Sequence, residues 1–167
     1  MTALQTALLA IGVALVAASL ALMVWQKFPA ELAAFAALVA LHASARISLP
    51  VGTFLFWGAA TLITLAIGWL SPKGAPPQVT RGNHYLAVGA VAGMLIGMSV
   101  DASIMVLSAA AGAVFGQLVY TRAPSGRWIK FPSSDFIRYF CARGLKIIVA
   151  AAMIGIAVQG FIRNMTV

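Results

Sequence analysis

The chain is short of acid. Its 167 residues hold three carboxylates, Glu31, Asp101 and Asp135, against 11 lysines and arginines. No two of the three have the spacing of a catalytic acid–base pair. There is one cysteine, Cys141, so neither a disulfide framework nor a cysteine-rich metal site is expected within one chain. The two histidines, His42 and His84, stand far apart in sequence. No nucleophile motif, phosphate loop or metal-ligand spacing occurs. The expectation is a protein with no catalytic residues, no metal and no cofactor.

Charge of either sign is scarce too, at 8% of residues, where soluble domains carry about 25%. Apolar residues make up 62%. A water-soluble chain of this length could not hide so much apolar surface, whereas lipid solvates it directly. The composition therefore predicts a single all-α, polytopic transmembrane bundle spanning residues 1–167. Six hydrophobic segments can be read: Leu4 to Trp25, Pro29 to Ala45, Pro50 to Leu70, Tyr85 to Val100, Ala102 to Tyr120 and Lys146 to Phe161. The second is the weakest because it contains Glu31 and His42, and the fourth and sixth are short for a crossing. The uncharged run Thr2 to Gln26 is long for a signal peptide and has no basic residue before it, so it reads as a retained first helix.

The net charge of +8 suits membrane topology and anionic lipid rather than nucleic acid, since no stacking platform or groove-reading motif accompanies it. With the N-terminus outside, nine basic residues fall on the cytoplasmic side (Lys27, Lys73, Arg81, Arg122, Arg127, Lys130, Arg138, Arg143 and Lys146) and two outside, Arg46 and Arg163. Residues 71–83 hold two consecutive prolines and two glycines and predict an irregular cytoplasmic turn. Residues 121–145 form a basic cytoplasmic loop. Trp128 and Phe131 suit the headgroup layer, and Arg122, Arg127, Lys130, Arg138, Arg143 and Lys146 are its candidate lipid contacts. A cap at Ser134 or Asp135 predicts a short interfacial helix with Phe136, Ile137 and Phe140 on its apolar side.

Glycine is plentiful and ordered. Gly89, Gly93 and Gly97 repeat at every fourth position, and Ser108, Gly112 and Gly116 repeat the device in the next segment. Residues four apart share a helix face. In lipid, helix association depends on close packing, and small residues let backbones approach. The two stripes predict a tight helical hairpin, packed within one protomer, against another copy, or along a narrow pathway.

These runs, "HYLAVGAVAGMLIG" and "LSAAAGAVFGQLVY", with a Gly/Pro-containing turn before them and a basic segment and an apolar helix after, resemble a bacterial family of uncharacterised glycine-zipper membrane proteins. The resemblance covers residues 50–162. Gly89-Ala90, Gly93 and Gly97 match its first run; Gly112-Ala113 and Gly116 match its second, with Gln117 where the family commonly has glutamate. It implies an integral inner-membrane protein and no established activity.

Ionisable residues within a membrane are costly and are candidate functional groups. Asp101, between the two stripes, is either the N-cap of the fifth segment or an ion or proton site at a hairpin tip. Glu31, after Pro29, suits the first turn of a helix; His42 and Arg46 suit the end of the same helix. A relay from Glu31 to His42 would cross roughly 16 Å. Two function classes are open. One is a structural or accessory bundle, alone, as a homo-oligomer or with another membrane protein, and every intramembrane charge has an ordinary helix-end explanation that favours it. The other is a small transporter or channel using Asp101, Glu31 and His42.

Overall fold

A computed structural model describes residues 2–25, 28–45, 47–70, 79–124 and 131–165. The described residues are helical, with no strand among them. The elements are α1 (Ala3–Trp25), α2 (Ala30–Ala43), α3 (Val51–Leu70), α4 (Val79–Met98), α5 (Ala102–Arg122), α6 (Ser134–Tyr139), a π-helical turn (Phe140–Gly144) and α7 (Leu145–Met165). Helical backbone runs unbroken from α6 through the π turn into α7.

Four helices are long and apolar enough to cross a membrane: α1, α3, α5 and the final helix from Phe136 to Asn164. The chain is thus an all-α bundle with the architecture of a membrane-embedded protein. The second segment is shorter than the others. At 14 residues, α2 rises about 21 Å, against the roughly 30 Å of a hydrocarbon core.

The final helix is the hub. Half of its most apolar window is buried, against 17% for α1 and α3. Ala150, Ala151 and Ala152 lie wholly inside, and α1, α2, α3, α4 and α5 all pack on α7. Three consecutive alanines on one helix leave little side-chain bulk, so neighbours approach from several directions. Outward, α3 shows Leu55, Phe56, Leu62 and Ile63, the surface that lipid rather than water solvates.

The most extensive pairing is α4 with α5. A Cβ built on Gly89 would fall on the carbonyl of Gly112, and one built on Gly112 on the carbonyl of Gly89. Gly93 meets the carbonyl of Ser108 in the same way, Gly97 the Ser108 hydroxyl, and Gly116 the carbonyl of Tyr85. The two small-residue stripes face each other within one chain, at backbone-to-backbone distance.

Two local expectations are corrected. Residues 79–83 do not belong to the irregular turn and instead form the first turn of α4. Gly82 there lies against the Tyr139 hydroxyl and the Tyr120 ring, and Asn83 is fully buried; packing on α5 and α6 extends the helix past its apolar part. The cap before α6 is Ser133, whose hydroxyl accepts from the Phe136 amide at 3.1 Å, rather than Ser134 or Asp135. The helix it opens is no separate interfacial element, since it continues into α7. Phe136 points inward while Ile137 is exposed, so Phe136, Ile137 and Phe140 do not share an apolar side.

Candidate functional site

Glu31 is the exceptional side chain. It sits in the first turn of α2, as Pro29 before it predicts, with Pro29 in extended backbone at the N-cap. Unlike an ordinary first-turn acid it is wholly buried, and neither carboxylate oxygen has a hydrogen-bond partner among the described residues. The nearest opposite charge is the Lys146 ammonium at 4.0 Å, beyond hydrogen-bond reach. A buried carboxylate without donors is costly to hold, so this one requires something polar beside it.

Space for that exists. A cavity of about 190 Å³ opens beside the pair, lined by Met23, Glu31, Leu65, Trp69, Arg143 and Lys146 among others. Four helix ends build it: the last turn of α1, the start of α2, the last turns of α3 and the π turn with the start of α7. The Ser19 hydroxyl donates to the Ala30 carbonyl at 2.8 Å, tying α1 to α2 next to Glu31. Lys146 reaches Glu31 by crossing α3 at Gly68, where a Cβ would collide with the lysine's Nζ and Cε. Glycine at 68 is the condition for the crossing.

The π turn aims the cations. In an uninterrupted α-helix, positions 139, 143 and 146 fall on one stripe. An i→i+5 turn accommodates one extra residue and rotates the helix beyond it by about 100°. Tyr139, before the turn, faces Asn83 and Tyr120 on α4 and α5, while Arg143 and Lys146 line the cavity beside α2 and α3. Two residues expected at lipid headgroups are thereby drawn into the bundle, half-buried. Arg122 and Arg138 are exposed, and Arg127 and Lys130 lie outside the described residues.

The other candidates take helix-end roles. Asp101 is exposed, and its carboxylate accepts from the amides of Ser103 and Ile104, capping α5. His42 lies in the last turn of α2. Its Nδ1 is 3.0 Å from the Ile47 carbonyl and 3.3 Å from the Leu49 amide, and its ring meets Phe54 edge-on at 5.0 Å. The structure does not connect it to Glu31: the buried side of α2 between them carries Ala34, Leu38 and Leu41, which relay no proton. Arg46 lies outside the described residues.

A second polar cluster has no signature in the sequence. Asn83 and Gln117 are both fully buried. The Gln117 amide donates to the Phe136 carbonyl at 3.2 Å, and the Tyr139 hydroxyl to Asn83 Oδ1 at 3.5 Å. The pairing of Lys146 with Glu31 is equally invisible there, because it depends on how distant segments meet. The available signal was a lysine opening an apolar helix and a glycine, Gly68, near the end of another.

No family model, no curated protein and no solved structure matches the chain.

Proposed function

We propose that this chain is a small multi-pass membrane protein that passes an ion or small polar solute through the pocket formed by Glu31, Lys146 and Arg143. One observation carries the reading: a wholly buried carboxylate with no hydrogen-bond donor faces a cavity beside an ammonium 4.0 Å away. Buried ionisable groups in apolar bundles serve substrate or proton pathways far more often than packing. The site thus moves from Asp101 and His42, whose polar atoms cap or tie helix ends, to Glu31. The basic-residue bias supports an orientation with the N-terminus outside, which puts the pocket toward the cytoplasm, and the resemblance to a bacterial glycine-zipper family supports an inner-membrane location.

The test is flux in proteoliposomes, with protons, sodium and chloride as probes and pH-, sodium- and chloride-sensitive dyes trapped inside. Wild type is expected to pass at least one probe faster than empty vesicles, and Glu31→Gln to remove that flux while eluting from size exclusion as wild type does. Equal flux through wild type and Glu31→Gln for all three probes would overturn it.

A second reading is favoured by the reciprocal contact of Gly89 and Gly112: a glycine-zipper bundle with a structural or accessory role, in which lipids and a second copy or another membrane protein are the partners. It predicts no flux and a defined oligomer or complex.

A further inference from the structure

We infer that the seam between α3 and α7 is a proton route across the bundle, closed in this conformation, which joins the Glu31 cavity to a second polar cavity at the opposite end. The inference rests on the reading of Glu31 as a transport site and adds its path and its cargo.

The second cavity, about 350 Å³, is lined by Ser48, Thr53, Gln159, Arg163 and Asn164 among others. The same two helices reach both cavities. From α3, Thr53 lines one and Leu65 and Trp69 the other; from α7, Ile156 and Gln159 line one and Lys146 and Ile147 the other. Thr53 and Gly68, the residue Lys146 crosses, are about 22 Å apart along the α3 axis, most of the thickness of a hydrocarbon core.

What α3 buries between those points is unusual. Its buried residues are Trp57, Thr61 and Thr64, while Leu55, Leu62 and Ile63 face out. Thr61 donates to the Trp57 carbonyl at 2.8 Å and Thr64 to the Thr61 carbonyl at 3.0 Å. Each hydroxyl proton is held by its own helix, which leaves the oxygen's acceptor sites for an incoming donor such as water. Hydroxyl stripes also pack helices, so the stripe alone would decide nothing. The independent observation is Glu31, wholly buried, with no hydrogen-bond donor on either carboxylate oxygen among the described residues and lining the cavity at one end.

Trp57 and Met153 line neither cavity, are both buried, and fill the seam between them, with the Met153 sulfur 4.0 Å from the Thr61 hydroxyl. Methionine has three rotatable bonds and repacks readily. The principal contacts of α3 are with α7, α2 and the π turn, so α3 can shift without disturbing the α4–α5 pair. When it does, water enters between the threonines. A proton leaves hydronium in one cavity, adds to the Glu31 carboxylate, and passes to water in the other, with no net change in the protein. Among the described residues, the charged groups that line the cavity with Glu31 are Lys146 and Arg143; α1 and α3 offer it Met23, Leu65 and Trp69.

The experiment is cysteine accessibility in the full chain, in liposomes, with Cys141→Ser as background. Thr61→Cys, Thr64→Cys, Leu65→Cys and Ala151→Cys are each treated with the water-soluble reagent methanethiosulfonate ethylammonium. Thiol reactivity requires access to water. Leu65→Cys, Thr64→Cys and Thr61→Cys are expected to react at least about tenfold faster than Ala151→Cys, buried on α7 away from the route. If Leu65→Cys reacts and both threonine positions are as slow as Ala151→Cys, the route is overturned and the pocket stands. If Leu65→Cys is equally slow, the pocket reading falls with it. As a second measurement, Thr61→Val, which keeps the shape and removes the hydroxyl, is expected to slow dye-reported proton flux, and Thr61→Ser to retain it. Equal flux in the two variants would overturn the route.

Discussion

The Lys146 ammonium stands 4.0 Å from the Glu31 carboxylate, at a point where four helix ends meet. Breaking a buried ion pair from one side leaves an uncompensated charge, whereas replacing both partners by apolar groups removes the desolvation cost as well. Lys146→Met is therefore expected to destabilise the bundle by about 3 kcal/mol, and the double variant Glu31→Leu/Lys146→Met to recover most of it. Thermal unfolding in detergent, run as a double-mutant cycle with Glu31→Leu alone as the second single variant, checks this; a double-variant loss equal to the sum of the two single losses would show that the two charges do not interact.

Gly68 supplies the crossing point for Lys146. Gly68→Ala adds one methyl group where the lysine's flexible end now lies. In an exposed helix this change would stabilise by up to about 1 kcal/mol. Here it is expected to push Lys146 away from Glu31 and to mimic Lys146→Met in both stability and flux. The comparison of the two variants in one assay decides it.

The α4–α5 pair has no such flexible neighbour. At Gly93 a side chain would meet the backbone carbonyl of Ser108, and backbone cannot step aside locally. Gly93→Leu is expected to cost about 3 kcal/mol or more and to separate the two helices. Gly52→Leu, with open space around it, is expected to change little. Unfolding midpoints and cross-linking between cysteines placed on α4 and α5 report the difference.

Asp101 caps α5 through the amides of Ser103 and Ile104. Asp101→Ala is expected to cost about 1 kcal/mol, and Asp101→Asn far less, since asparagine caps nearly as well. Neither is expected to change flux. A flux loss in Asp101→Asn with an unchanged unfolding midpoint would return the site to the hairpin tip.

Ala45 lies just beyond α2 with a φ of 59°, in the left-handed region that a Cβ disfavours by roughly 1–2 kcal/mol. Ala45→Gly is expected to raise stability by some tenths of a kcal/mol, because glycine's greater unfolded freedom offsets part of the relief. A lowered unfolding midpoint would contradict it.

Much of the fold derives from solvent and spacing. Long uncharged runs have one economical conformation in lipid, so α1, α3, α5 and α7 are legible from composition and length. That Gly89, Gly93 and Gly97 share one helix side, and Ser108, Gly112 and Gly116 another, comes from period alone; that the two sides face each other within one chain is decided by the packing of α4 on α5. The cap at Asp101 is local in the same sense: its partners are two and three residues away. Residues 79–83 are polar enough to read as loop in a short window. They are helical because Tyr120 and Tyr139 cover Gly82 and Asn83 lies buried among the same helices.

By itself, then, the sequence determined an all-helical apolar chain, a hairpin packed through small residues, and the placing of its three scarce carboxylates at or near helix ends. Period, capping and transfer from water into lipid act over a few residues, and each can be read in a window. Only the tertiary structure decided which of those carboxylates is out of the ordinary. Asp101 is satisfied by its own helix. Glu31 is not, and its neighbour, a lysine brought over Gly68 by a π turn, is far from it in sequence. No local rule connects these three positions; the packing of α2, α3 and α7 does.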